Sequence, residues 1–215
     1  MIGDKINIKA EYFSLAEEIY LEILNKNILV QNKVCISVAG ESGCGKSVTA
    51  EVLKSVLNEK GIKTVNLQQD DYFFLPPKTN HASREKDIRN VGLVEVNLEH
   101  LQENIDDFKK AKNQIEKPLV NYEADIIIEE EIDLEKIKVL IVEGTYVNML
   151  ENIDLKIFIA RTYLDTLEQR KSRNREEMTA FIENVLSIEH NIIKKQEMTA
   201  DLVINKDYKI KKQLS

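Results

Sequence analysis

The sequence predicts an α/β fold, a parallel sheet covered by helices on both faces, and three observations predict it. Short apolar runs rich in β-branched residues recur at 33–40, 138–144 and 155–160. Segments with apolar residues at helical spacing separate them. Three of the seven glycines fall within six residues, directly between the first such run and a helical pattern.

Taken in order, residues 10–27 place Phe13, Ala16, Ile19, Tyr20, Ile23 and Leu24 at helical spacing. Residues 33–40, KVCISVAG, read as a buried strand. Residues 46–61 read as a helix with Val48, Val52, Leu53, Val56 and Leu57 inward and Gly61 at its end. A second strand is expected over 63–69, then a long loop over 70–92 carrying Pro76 and Pro77. Asn97 is placed to cap a helix over 97–113 that buries Leu98, Leu101, Ile105 and Phe108. Residues 123–134 are β-rich without an evident partner, and 138–144 and 155–160 are further strands. Residues 162–197 read as two helices, the first polar and arginine-rich, the second with Met178, Phe181, Ile182, Val185, Ile188 and Ile192 on one stripe. A short strand over 200–205 and a charged tail follow. The 215 residues suit a single domain, with a helical extension over 1–30 and a core over 33–208.

Composition narrows the function classes. A hydrophobic share of 43% can bury a sizeable core, and the formal charge of −7 argues against general nucleic-acid binding. No apolar run approaches the ~20 residues of a membrane span, so no membrane partner is expected. Cys35 and Cys44, the two cysteines, fit neither a disulfide framework nor zinc spacing. Reduced thiols point to the cytoplasm, with Cys44 read as a small hydrophobe rather than a redox switch. The N-terminal helix is a candidate interface for a homo-oligomer.

Gly40-Glu41-Ser42-Gly43-Cys44-Gly45-Lys46-Ser47 matches G-x-x-x-x-G-K-[ST] at every fixed position. Backbone amides must turn inward around phosphate oxygens, which side chains would obstruct. The helix that follows, with Val48 in its first turn, aims its partial positive end at the same anion. Lys46 would reach the β- and γ-phosphates, and Ser47 would ligate Mg²⁺. This makes the fold a three-layer P-loop NTPase type and implies a nucleoside triphosphate. It names no reaction.

Other residues choose among reactions. A guanine-reading N-K-x-D is missing: the nearest stretch, Asn205-Lys206-Asp207-Tyr208, ends in tyrosine. VLIVEG ends in Glu143-Gly144, and Glu143 can meet magnesium or orient the loop. Asp70 and Asp71 stand where the second strand runs out, at the edge that faces ligands in parallel sheets. An aspartate there either accepts the proton of an acceptor hydroxyl or starts a turn. Five cations within fifteen residues, Arg161, Arg170, Lys171, Arg173 and Arg175, suggest an anion-facing lid or a solvated helix face. The loop over 70–92 offers an acceptor Lys78, His81, Arg84, Arg89 and the aromatics Tyr72, Phe73 and Phe74. His100 and His190 lie in helical patterns and read as structural or exposed.

GESGCGKS, QQDDYF, KPLVNYEAD, VLIVEGTY, the arginine segment and ADLVIN occur in an order that resembles the uridine kinase and phosphoribulokinase family of P-loop kinases, over about Lys33 to Tyr208. The resemblance implies ATP and Mg²⁺ as cofactors and a small-molecule acceptor. It implies Asp70 as catalytic base with Lys46, and lid arginines Arg170, Arg173 and Arg175. It offers Tyr122 for the acceptor pocket and matches the family's strand-end glutamate with Glu143; Asp71 and the loop residues Tyr72, His81, Arg84 and Arg89 are the other expected acceptor contacts. Tyr122 follows Pro118 at a wider spacing than in uridine kinases, and RNVGLVEVNL replaces their Asn-Phe-Asp-His-Pro-like segment, so the expected reaction is transfer of the γ-phosphoryl group of ATP to a hydroxyl of a small metabolite, a nucleoside such as uridine being one candidate. The alternative is a nucleotide-dependent switch with no small acceptor.

Overall fold

The computed structural model describes residues 8–167 and 179–211. Five strands form one parallel sheet: β1 (Val34–Gly40), β2 (Thr64–Gln68), β5 (Val139–Gly144), β6 (Leu155–Ile159) and β7 (Leu202–Ile204), in the order β2-β5-β1-β6-β7. β1 and β5 are buried along their whole length, as continuous apolar runs in a two-sided sheet must be.

Two cores flank the sheet. On one face, α1 (Ala10–Asn25) and α2 (Lys46–Glu59) pack against β1, β5, β6 and β7, through Leu15, Ile19, Ile23, Leu53 and Leu57 among others. On the other, α4 (Leu98–Lys109) packs Leu101, Ile105 and Phe108 against Cys35, Leu67, Leu140 and Val142. The last helix, α5 (Ala180–Ile193), adds Ile193 to this second core.

Three features depart from the sequence-based expectation. The helix near the N-terminus buries Tyr12, Leu15, Ala16, Ile19 and Ile23, while Phe13 and Leu24 are exposed; the apolar stripe is wider than the face that packs. The expected loop over 70–92 contains a helix, α3 (Pro77–Lys86), started by Pro77 in its first turn, where the missing N–H costs nothing. The β-rich segment pairs with an unexpected strand: β3 (Gln114–Asn121) and β4 (Ile126–Asp133) form an antiparallel hairpin. α5 buries Ile182, Val185, Leu186, Glu189 and Ile193; Met178 of the expected stripe lies outside the described residues.

The register sets the site. Gly144 pairs with Ala39, and Glu143 pairs with both Val38 and Gln68. β1, β2 and β5 therefore end level, and the residues just past each end share one edge.

Candidate active site

The glycine loop joins β1 to α2. Gly45 has φ +103°, a conformation that favours glycine, and a Cβ there would lie 2.9 Å from the Tyr12 hydroxyl. Tyr12 donates to the Tyr208 hydroxyl at 2.9 Å, and Tyr208 donates to the Cys44 carbonyl at 3.1 Å. Both chain ends thus support the loop from behind. The Arg161 guanidinium stacks on the Tyr208 ring at 4.9 Å and donates to its hydroxyl. Cys44 is fully buried and burial pushes its thiol up, as suits a packing residue rather than a redox switch.

Glu41 does not turn toward a phosphate. Its carboxylate accepts from the Tyr163 amide at 2.6 Å and meets His190 Nδ1 of α5 at 2.6 Å. The Thr166 hydroxyl adds a bond to the Ser42 carbonyl at 3.2 Å. The backbone of the loop remains available as a cradle, and its side chain at 41 ties the cradle to the segment before α5. His190, expected as structural or exposed, contacts the phosphate loop.

Lys46 donates to the Glu41 carbonyl at 3.0 Å across the loop. Burial alone would lower its ammonium, but the Glu143 and Asp70 carboxylates help hold it up. Ser47 sits against the Glu143 carboxyl. Burial raises Glu143 to about 7, with the Asp70 carboxylate adding to the shift and Lys46 opposing it. Asp70 stands exposed at the same edge, with the Lys46 and Arg84 charges favouring its ionised form. One ammonium, one hydroxyl, the buried Glu143 carboxyl and the exposed Asp70 carboxylate meet where three strands end.

A buried glutamine places Asp70. Gln69 accepts from the Tyr146 amide at 2.7 Å and donates to the Thr145 hydroxyl at 2.8 Å, locking the turn Gln69–Tyr72 onto the end of β5. Gly144 makes this possible: a Cβ there would lie 2.3 Å from Gln69 Cβ.

Asp71 faces another way. It pairs with Lys117 at 2.9 Å and accepts from the Val120 amide at 3.0 Å, so it anchors the hairpin while buried to 1%. Tyr72 is also in the core, its hydroxyl accepting from Asn104 at 2.9 Å. Arg89 is turned to solvent and forked onto Asp87. His81 lies 3.6 Å from Glu85 and edge-on to Phe181. Tyr122 is half-buried in the hairpin turn, and Val48 is buried in the first turn of α2. Arg84 remains beside the centre: it is bonded to Glu95 at 2.6 and 2.7 Å and to Glu189 at 3.0 Å, and its charge lowers Asp70. Arg170, Lys171, Arg173 and Arg175 lie outside the described residues.

Mg²⁺ suits this donor set. Ser47, Glu143 and Asp70 offer hard oxygens, and a cation beside Glu143 would offset the desolvation that raises its carboxyl. No group of three or more His, Cys, Asp or Glu among the described residues forms a metal cage.

The model of the phosphoribulokinase / uridine kinase family matches residues 35–209. The chain is similar to a bifunctional alpha-galactosidase/sucrose kinase from Mediterraneibacter gnavus, at 30% identity over 82% of this chain but only 20% of that protein. It is similar to a uridine kinase from Ureaplasma parvum serovar 3, at 28% identity over 73% of this chain and 76% of the relative. In fold it is similar to phosphoribulokinase from Rhodobacter spheroides, with a TM-score of 0.65, 16% identity, 81% of this chain and 70% of that chain.

Proposed function

The chain belongs to the phosphoribulokinase / uridine kinase family of phosphotransferases, and from that premise we propose that it moves the γ-phosphoryl group of ATP to a hydroxyl of a small metabolite, with nucleosides and sugars the first acceptors to try. The convergence of Lys46, Asp70 and Glu143 on the phosphate loop carries this reading. The amides of Gly40–Ser47 hold the triphosphate. Lys46 exchanges the Glu41 carbonyl for phosphate oxygens, a short swing for a flexible ammonium. Ser47 and Glu143 would hold Mg²⁺, which supplies charge neutralisation on the phosphates when bound.

Asp70 receives the proton as the acceptor oxygen forms its bond to phosphorus and the bond to ADP breaks. Asp70 is exposed at the strand edge, where an acceptor can reach it, and Lys46 keeps the carboxylate available. Positioning and charge compensation supply most of the acceleration, since no covalent intermediate is needed. A nucleotide switch has no use for an accessible carboxylate placed by Gln69 beside the phosphate lysine.

The test is ADP formation with a panel of nucleosides and sugars, with the product identified by ³¹P resonance. Stoichiometric formation of a phosphorylated metabolite supports the kinase. Slow hydrolysis indifferent to every metabolite refutes it.

A further inference from the structure

Glu41 brings a carboxylate into the very loop that would hold a triphosphate, and it is buried there to 5%. A buried anion beside that site repels the ligand unless donors take up its charge. Among the described residues two donors reach the carboxylate. The Tyr163 amide donates to Oε2 at 2.6 Å, and His190 Nδ1 meets Oε1 at 2.6 Å. With Glu41 ionised, the second bond places a proton on Nδ1. The Tyr163 ring lies edge-on to the His190 ring at 5.8 Å. The residue that binds one oxygen of Glu41 therefore also orients the ring that binds the other.

Lys46 does not take this place. It reaches the Glu41 carbonyl, not the carboxylate, at 3.0 Å, and the Glu143, Asp70 and Glu189 carboxylates share its charge. On the kinase reading it leaves even that carbonyl for phosphate oxygens. His190 has no such second duty. It is carried by α5, which is anchored through buried Ile182, Val185, Leu186 and Ile193. A donor on a packed helix holds its direction better than one on a loop.

Resting on the kinase reading only for the triphosphate in the loop, we propose that His190 is a positioning residue for ATP. It acts through Glu41: it binds the carboxylate, takes up its charge and keeps it turned from the phosphates.

The test is binding of a non-hydrolysable ATP analogue with Mg²⁺, by calorimetry, beside thermal melting. His190→Ala takes the side-chain donor from a buried carboxylate next to the triphosphate. The Kd should rise roughly ten- to a hundredfold, the worth of a hydrogen bond to a charged group. Glu41→Gln combined with His190→Ala removes the charge and keeps an oxygen for the Tyr163 amide. This double variant should return the Kd to within about threefold of wild type, since the two residues act as one unit. It carries the test even where the single variant unfolds. In turnover, the ATP KM should follow the Kd while the acceptor KM holds.

A wild-type Kd in His190→Ala overturns the proposal. So does a double variant that regains its melting temperature but still binds the analogue weakly, the mark of an imidazole needed only for its shape. Wild-type protein that binds the analogue but phosphorylates no metabolite sinks the kinase reading and leaves this pair to be judged by the variants' Kd values. Wild-type protein that does not bind the analogue sinks both.

Discussion

Replacing Gly144 by alanine should disable turnover without touching the nucleotide cradle. The new methyl would lie 2.3 Å from Gln69 Cβ and 2.7 Å from Gln69 Oε1. The first of these atoms is the root of a buried side chain, not a flexible tip, so the turn Gln69–Tyr72 must retreat. Overpacking of this kind costs about 1–3 kcal/mol. At about 2–4 °C per kcal/mol for a chain of this size, the melting temperature should fall by several degrees. Asp70 is the next residue in that turn. A shift of about 1 Å at a catalytic group can cost about a hundredfold in rate. The cradle hangs from β1, so ATP affinity should change by less than about threefold, under 1 kcal/mol. The assays are thermal melting, nucleotide binding and steady-state turnover with the best acceptor. Gly61→Ala is the control: φ is +81° with nothing within 4 Å, so it costs about 1–2 kcal/mol of backbone strain and should leave turnover alone. Wild-type turnover and melting in Gly144→Ala would refute the claim that Gln69 packing places Asp70.

Two further predictions concern buried charge. Lys117→Met strands the Asp71 carboxylate in the core and should cost about 3–5 kcal/mol; Lys117→Met with Asp71→Asn should recover much of it, as denaturant midpoints will show. In nucleotide- and metal-free protein, Glu143, raised to about 7 by burial and the Asp70 carboxylate, holds a proton in the folded state that the unfolded chain releases near its ordinary 4.5. Its contribution is present at low pH and is lost as pH rises through that window. Glu143→Gln should therefore flatten the fall in melting temperature between pH 5 and 8, and an unchanged slope would contradict the assignment.

The parts legible in the sequence are those written in contiguous residues. The phosphate loop is eight consecutive positions, and β1 and β5 are near-unbroken apolar runs. α3 was not legible because PKTNHASREK has no apolar stripe; its one buried residue is Asn80, held by Glu95. β3 was obscured by Pro118 and by Lys117, a lysine whose burial makes sense only beside Asp71. Asp71 and Tyr72 share the motif of Asp70, and only the turn geometry sends them into the core. Glu41–His190 and Arg84–Glu189 join residues more than a hundred positions apart, and nothing local marks them. Gln69 and Gly144 were open to a narrower inference: a glycine closing a buried strand signals close approach by another chain segment.

The most direct test of the account is Asp70→Asn, measured for turnover and for ATP binding in the same preparation. General-base loss predicts a drop in kcat of roughly 10²–10⁴, with ATP affinity nearly unchanged because Lys46 and the loop amides remain. Turnover within a few-fold of wild type would contradict it.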